Sequence, residues 1–162
     1  MIFFIFFAIV LLFGFVILFG APYLPTLKDQ TDEAIGLLNL KPGSTIIELG
    51  SGDGRVARRM AKQGYKVVGY ELNPLLAIAS RLTTWRYRKK VRIIWGNYWY
   101  KNWPEADGVY VFLLDRFMTR LDRTCIEYAK NTGPLSVVSY TFKIPGKKPA
   151  KKSGALYLYH YK

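Results

Sequence analysis

One cysteine, Cys125, and one histidine, His160, are all that the chain has of either residue. A lone cysteine forms no internal disulfide, and the Cys/His spacings of a structural zinc site cannot be assembled. Acids are scarce as well: 11 Asp and Glu face 24 Lys and Arg in 162 residues, a formal net charge of +13. Between Met1 and Leu27 there is no charged side chain at all. No internal repeat or long low-complexity linker is visible, and the length allows one domain. These absences exclude a disulfide-stapled secreted module, a multi-pass transporter and a disordered polyelectrolyte.

Hydrophobic residues make up 51% of the chain, yet mean hydropathy is only +0.06, so apolar and charged residues are segregated. Ile2–Phe19 is continuously apolar apart from Gly14. As a helix it would measure about 27 Å, near the bilayer hydrocarbon thickness of about 30 Å. No Lys or Arg precedes the run, and Phe19-Gly20-Ala21-Pro22 is a poor cleavage site, so a removed signal peptide fits less well than a retained anchor over residues 1–21. The Lys/Arg excess after it predicts a cytoplasmic domain. Two clusters carry no acid: Arg81, Arg86, Arg88, Lys89, Lys90 and Arg92, and the tail from Lys143 to Lys162. Beside a bilayer they predict docking on anionic headgroups, with a nucleic-acid face as the less favoured alternative.

From residue 28 the pattern alternates. Residues 28–40 read as an amphipathic helix burying Ala34, Leu37, Leu38 and Ile35. Strands are predicted at Ile46–Leu49, Lys66–Tyr70, Val91–Trp95, Val109–Leu114 and Ser136–Phe142; helices at Gly54–Gln63, Pro74–Arg88 and Thr119–Asn131. The strands do not alternate strictly, as expected where helices cover both faces, so a doubly wound, mostly parallel α/β sheet follows. The loop 143–154 contains Pro145, Gly146, Pro149 and Gly154 and cannot supply a crossover helix. The final strand, Ala155–Tyr161, should therefore return antiparallel, as the edge of the sheet.

The informative stretch is Glu48-Leu49-Gly50-Ser51-Gly52-Asp53-Gly54-Arg55. Glycines at alternate positions after an apolar strand allow a sharp turn and a ligand against bare backbone. Arg55 stands where a dinucleotide fingerprint needs its third glycine, which argues against that ligand class. Glu48, inside the strand end, needs a partner such as an ammonium. A second acid, Glu71, follows Gly50 by 21 residues, where doubly wound sheets place the acceptor for ribose hydroxyls. A nucleoside bearing an ammonium suits this set, and S-adenosylmethionine (SAM) fits.

With ELGSGDGRV at 48–56, Gly69-Tyr70-Glu71-Leu72-Asn73-Pro74, Pro22-Tyr23-Leu24-Pro25-Thr26 and Ser80-Arg81, the chain resembles the class I SAM-dependent methyltransferases. More narrowly it resembles the membrane-anchored protein-lysine methyltransferases related to the mitochondrial adenine-nucleotide-translocase and ATP-synthase c-subunit enzymes. The resemblance implies a Rossmann-like fold and SAM as cofactor. It implies residues 1–21 as anchor, 22–45 as linker and cofactor-covering element, and 46–162 as the SAM-binding domain. In a eukaryote it also implies the mitochondrial inner membrane. Gly50, Ser51 and Gly52 would cradle the methionine part and Glu48 its ammonium. Glu71 would hold the ribose, Leu72 and Asn73 would border the adenine, and Tyr23 and Thr26 would fold over it. Asn97 replaces the family's usual Asp as acceptor for the adenine amino group; capping the turn Tyr98-Trp99-Tyr100 is its other reading. After Val109–Leu114 only one helix and two strands are predicted, fewer than a full class I domain has, so the domain reads as reduced.

Asp115 and Tyr140 are the candidate catalytic side chains, in an acceptor channel with Tyr98, Trp99 and Phe142; Asp115 could instead pair with Arg116 or Arg120 on the surface. Trp95, Trp99 and Trp103 are either substrate wall or core. The base-methyltransferase motif is absent, since Phe112-Leu113-Leu114-Asp115 stands in its place. The expectation is methyl transfer from SAM to a lysine of a membrane-associated protein. A small or lipid-like acceptor, or a non-enzymatic basic membrane or RNA adaptor, is the alternative.

Overall fold

The computed structural model describes Phe3, Phe7 and residues 28–162. Runs rich in Val, Ile and Tyr form the sheet where the pattern predicts it: β1 Thr45–Leu49, β2 Lys66–Glu71, β3 Val91–Trp95, β4 Gly108–Phe112 and β5 Leu135–Tyr140. The order is β3-β2-β1-β4-β5 with every neighbouring pair parallel. Four helices connect them: α1 Lys28–Leu38, α2 Arg55–Lys62, α3 Pro74–Thr83 and α4 Met118–Asn131. α1, α2 and α3 cover one face, where Ala34, Leu38, Met60 and Ala77 pack with Ile46 and Val67. α4 covers the other, through Leu121, Cys125 and Ile47, Val109 and Val137. Adjacent residues Ile46 and Ile47 thus enter opposite cores, which is why β1 shows no alternation.

Three expectations are corrected. The helix predicted to Arg88 ends at Thr83, followed by a 3-10 turn at Trp85–Tyr87. The Thr84 hydroxyl donates to the Ser80 carbonyl at 2.6 Å and that of Thr83 to the Asp53 carbonyl at 2.5 Å. Consecutive β-branched residues with side chains bonded to backbone favour stopping there. Second, the last strand, β7 Leu156–Tyr161, is not the edge. It pairs antiparallel with β5 on one side and on the other with β6 Lys151–Ser153, giving seven strands in the order β3-β2-β1-β4-β5-β7-β6. β6 is Lys-Lys-Ser and has no apolar signal; its order comes from pairing with β7 and from the Ser153 hydroxyl on Glu33. Third, the domain therefore has three strands after α4 rather than two. Among the described residues only the helix between β5 and β6 is missing from the full pattern.

The membrane anchor is also corrected. Among the described residues no helix is long and apolar enough to cross a membrane. Residues 1–21, where the sequence pattern puts the anchor, lie outside the described residues apart from Phe3 and Phe7. The described residues form an α/β sheet, with no membrane-spanning helix among them. The single-pass topology, the membrane partner and the cytoplasmic or inner-membrane placement rested on that span, and anionic-lipid docking on the basic clusters taken beside it; none has a described helix to support it.

Candidate functional site

The parallel strands aim their carboxyl ends at one edge, and the predicted residues gather there. Between β1 and α2, Gly50, Gly52 and Gly54 have φ of 91°, 54° and 81°. The turn uses its amides internally: those of Gly50 and Ser51 donate to the Tyr70 carbonyl, at 2.9 and 2.8 Å, and that of Gly54 to the Ser51 carbonyl. With those amides engaged, what the turn offers a ligand at Gly50 is open backbone surface. A Cβ on Gly50 would meet nothing within 4 Å, whereas one on Gly54 would sit 2.6 Å from Ser80 Oγ and 2.9 Å from Thr83 Oγ1. Gly50 leaves room for a ligand; Gly54 leaves room for α3. Arg55 turns back onto Asp53 in a two-pronged ion pair, Nε to Oδ1 at 3.0 Å and a terminal guanidinium nitrogen to Oδ2 at 2.8 Å.

Glu71, at the end of β2, is buried and accepts from the amides of Gly52 and Asn73, each at 2.8 Å. Burial raises its pKa, opposed by the amides of Asn73, Gly52 and Leu72. Each carboxylate oxygen keeps a lone pair for a further donor. Glu48 on β1 is only 2% exposed, and its Oε2 has no hydrogen-bond partner. Burial pushes its pKa well above the usual carboxylate range, and the negative charges of Glu71 and Asp53 add to that. A buried acid with a free oxygen beside an open glycine is a socket for a cation.

Asn73 divides its side chain between a cap and a spare donor, since its Nδ2 has no hydrogen-bond partner. It is fully buried, and its Oδ1 caps α3 by accepting from the amides of Leu75 and Leu76 at 2.9 and 3.4 Å. Leu72 is half-buried, and its carbonyl takes the Trp95 indole N–H at 3.1 Å. Asn97 caps the 3-10 turn Tyr98–Tyr100 through Oδ1 and the Trp99 amide at 3.0 Å, the alternative left open by its position in sequence. Tyr23 and Thr26 lie outside the described residues.

Asp115 follows β4 in a 3-10 turn and is exposed. Among the described residues it has no ion pair with Arg116 or Arg120; those guanidinium groups lie over the rings of Phe117 and Trp99, at 4.7 and 4.5 Å. Tyr140 ends β5, edge-on to Phe112 with ring centroids 4.8 Å apart. Beyond it Thr141 has φ of 77°, and the Phe142 amide donates to the Tyr140 carbonyl, a strained three-residue turn. The Ser139 hydroxyl braces it by donating to the Phe142 carbonyl at 2.7 Å. Sequence reasoning missed Phe117, Arg120 and this turn; nothing in spacing joins Arg120 to Trp99, because the pairing crosses between α4 and the loop after β3. Trp99 and Trp103 are half-buried against the core, while Trp95 stays exposed. Cys125 is buried inside α4 with its pKa pushed up to about 12 by burial, so it is no nucleophile.

The sequence model of the ANTKMT methyltransferase domain matches residues 48–151. The chain belongs to this family. It is 32% identical to the ATP synthase c-subunit lysine N-methyltransferase of Xenopus laevis over 104 residues, 63% of this chain and 46% of that one. To the adenine nucleotide translocase lysine N-methyltransferase of Mus musculus it is 29% identical over 136 residues, 82% of this chain and 58% of that one. The chain spans about half the length of the curated relatives it matches. Among solved structures it resembles an RNA methyltransferase from Salinibacter ruber in complex with S-adenosyl-L-homocysteine. That likeness has a TM-score of 0.75 at 25% identity and covers 85% of this chain and 92% of that one. The domain is a SAM-dependent methyltransferase domain of class I, and its cofactor is SAM. The residues fit that group: Glu48 Oε2 lacks a partner, Gly50 borders open space, and Glu71 has lone pairs to spare.

Proposed function

We propose that this methyltransferase domain methylates the side-chain amine of a lysine in a protein substrate. The observation that carries the reading is the buried Glu48 carboxyl beside Gly50, whose Oε2 has no hydrogen-bond partner, at an edge whose far side is aromatic and cationic. The names of the relatives, both protein-lysine methyltransferases, support the acceptor. When bound, SAM supplies an electrophilic methyl group on a sulfonium. Glu48 would accept its ammonium, Glu71 its ribose hydroxyls, and Leu72 and Asn97 would border the adenine, with Gly50, Ser51 and Gly52 against the methionine part and Tyr23 and Thr26 as cover. Asn73 would act through the backbone, since its amide orients Glu71.

In-line transfer needs alignment more than acid–base machinery. The acceptor must arrive as a neutral amine, although free lysine has a pKa of about 10.4. Tyr98, Trp99, Phe112, Tyr140 and Phe142 supply rings that exclude water, and Arg116 and Arg120 supply like charge; both effects favour the neutral form. Exposed Asp115 would then orient the arriving lysine at the mouth of the channel, and the ammonium formed by transfer would lose its proton to solvent. Incubating the full chain with tritium-labelled SAM and solubilised membrane and soluble proteins tests this. Label on lysine, located by mass spectrometry, supports the reading. Label only in solvent-extractable lipid or small molecules overturns the lysine acceptor, and absence of SAM binding overturns the site.

A further inference from the structure

Within residues 28–162, seven large hydrophobic side chains are left exposed, and four of them lie on one stripe. Leu75, Ile78 and Leu82 on α3 are 48%, 53% and 70% exposed, and Trp85 in the turn that follows is 63% exposed. Their spacing of three, four and three residues keeps them on one helical side. Single exposed apolar residues need no explanation, but a contiguous row bordered by charge marks an interaction surface. The border is of one sign. From Leu72 to Pro104 the chain has no acid, while Arg86, Arg88, Lys89, Lys90 and Arg92 are all exposed. Arg88 lies over the Trp85 ring at 5.1 Å, joining rim to stripe. Because α3 returns from the carboxyl end of β2 to the start of β3, Leu82 and Trp85 lie toward the sheet edge opposite the cofactor site. The surface is therefore independent of the methyl-transfer reading.

We propose that this face docks an amphipathic helix of a partner protein, with a leucine-type row flanked by Asp or Glu. Three occupants could cover the apolar row, and the rim chooses among them. A second copy of the chain would bring cationic rim against cationic rim, which is repulsive. Residues 1–27 carry no charged side chain, so they would leave the rim unanswered. A helix that lays apolar residues at i, i+3, i+4 and i+7 on the stripe and acids on the rim answers both.

The test uses the full chain and a fluorescein-labelled 20-residue helical peptide of Leu, Ala and Glu with its leucines at that spacing. A twin peptide carries Lys in place of every Glu. Fluorescence anisotropy should show the acidic peptide binding and the basic twin at least about tenfold weaker, with affinity falling as salt rises. Ile78→Ser with Leu82→Ser should cost about tenfold or more, the scale of a lost interface anchor. Arg86→Glu with Arg88→Glu alters only exposed rim positions and should also cost tenfold while preserving the melting temperature; this keeps the test decisive if the first variant folds poorly. Equal binding of the two peptides, or parent-like affinity in the rim variant, overturns the proposal. So does a concentration-dependent dimer abolished by Ile78→Ser with Leu82→Ser, or stronger partition onto phosphatidylserine vesicles than onto the peptide.

Discussion

The two halves of the carboxyl edge are built on opposite plans. At β1 and β2 the groups are small or acidic and held by backbone, Glu71 by two amides and Gly50 and Ser51 by one carbonyl, and all but Gly50 are buried. At β4 and β5 they are aromatic or cationic, partly exposed, and held by one another: Tyr140 by Phe112, Arg120 by Trp99. Backbone hydrogen bonds fix positions at small entropic cost, whereas ring and guanidinium contacts leave rotamers to be ordered later. One half is ready for a ligand of constant shape. On the proposed reading, the other can adapt to an acceptor brought by a larger partner.

The largest expected effect comes from the acceptor half, whose rings stand on β5 and so on β7. Deleting residues 153–162 removes Leu156, Tyr157, Leu158, Tyr159 and Tyr161, all buried. Each buried aliphatic side chain contributes roughly 1.5–3 kcal/mol, so the loss rivals a total stability of about 5–15 kcal/mol. Circular dichroism should show no cooperative melt; a melt like the parent's would mean β7 is dispensable.

Glycine exchanges sharpen the contrast inside the cofactor half. Gly54→Ala forces a Cβ into Ser80 and Thr83 at positive φ and should cost about 2–5 kcal/mol of stability. Gly50→Ala meets open space, so it should cost only about 1–2 kcal/mol, for the left-handed backbone, yet still weaken SAM by crowding it. Comparing chemical denaturation with calorimetric SAM titration checks both. If Gly50→Ala binds SAM as the parent does, the ligand lies elsewhere.

Next come the acids. Glu71→Ala should weaken SAM by roughly 1.5–3 kcal/mol, the scale for hydrogen bonds to a charged group. Glu48 adds a pH signature. Its pKa is raised in the fold, so without cofactor its contribution is most favourable below the ordinary carboxylate pKa and is lost as pH climbs from there through the folded value. Glu48→Gln should raise the apo melting temperature at pH 7 and weaken SAM binding. A lowered melting temperature with unchanged SAM affinity would point to a purely structural Glu48.

The smallest stability effects belong to the acceptor side again. Asp115→Asn, at an exposed position with no ion pair among the described residues, should leave stability within about 0.5 kcal/mol and reduce kcat with unchanged SAM affinity. Thr141→Gly should stabilise by up to about 1–2 kcal/mol, by removing a side chain from positive φ. Unchanged turnover in Asp115→Asn would remove that residue from the mechanism.

The cofactor half was legible because its devices are local. A strand, a glycine turn and an acid at the next strand end lie within the 27 residues Thr45–Glu71, and each has a steric or electrostatic reason that a sequence displays. Even there, Asn73 and Asn97 needed coordinates, because one short amide can cap a helix or meet a ligand equally well in sequence. The acceptor half was less legible: Asp115 and Tyr140 could be placed at strand ends, but not the rings and guanidinium groups around them.

Composition and periodicity alone determined the covered parallel sheet, the Glu48/Gly50/Glu71 constellation and the antiparallel return of the last strand. Only the tertiary structure decided that β7 lies inside the sheet, because the three polar residues of β6 become a strand only when β7 offers an unpaired edge. Only it decided that Glu48 has a free oxygen, that Arg120 reaches Trp99, and that the apolar row of α3 stays uncovered. Each depends on groups distant in the chain, and hydrogen-bond satisfaction and burial belong to the assembled neighbourhood rather than to any segment.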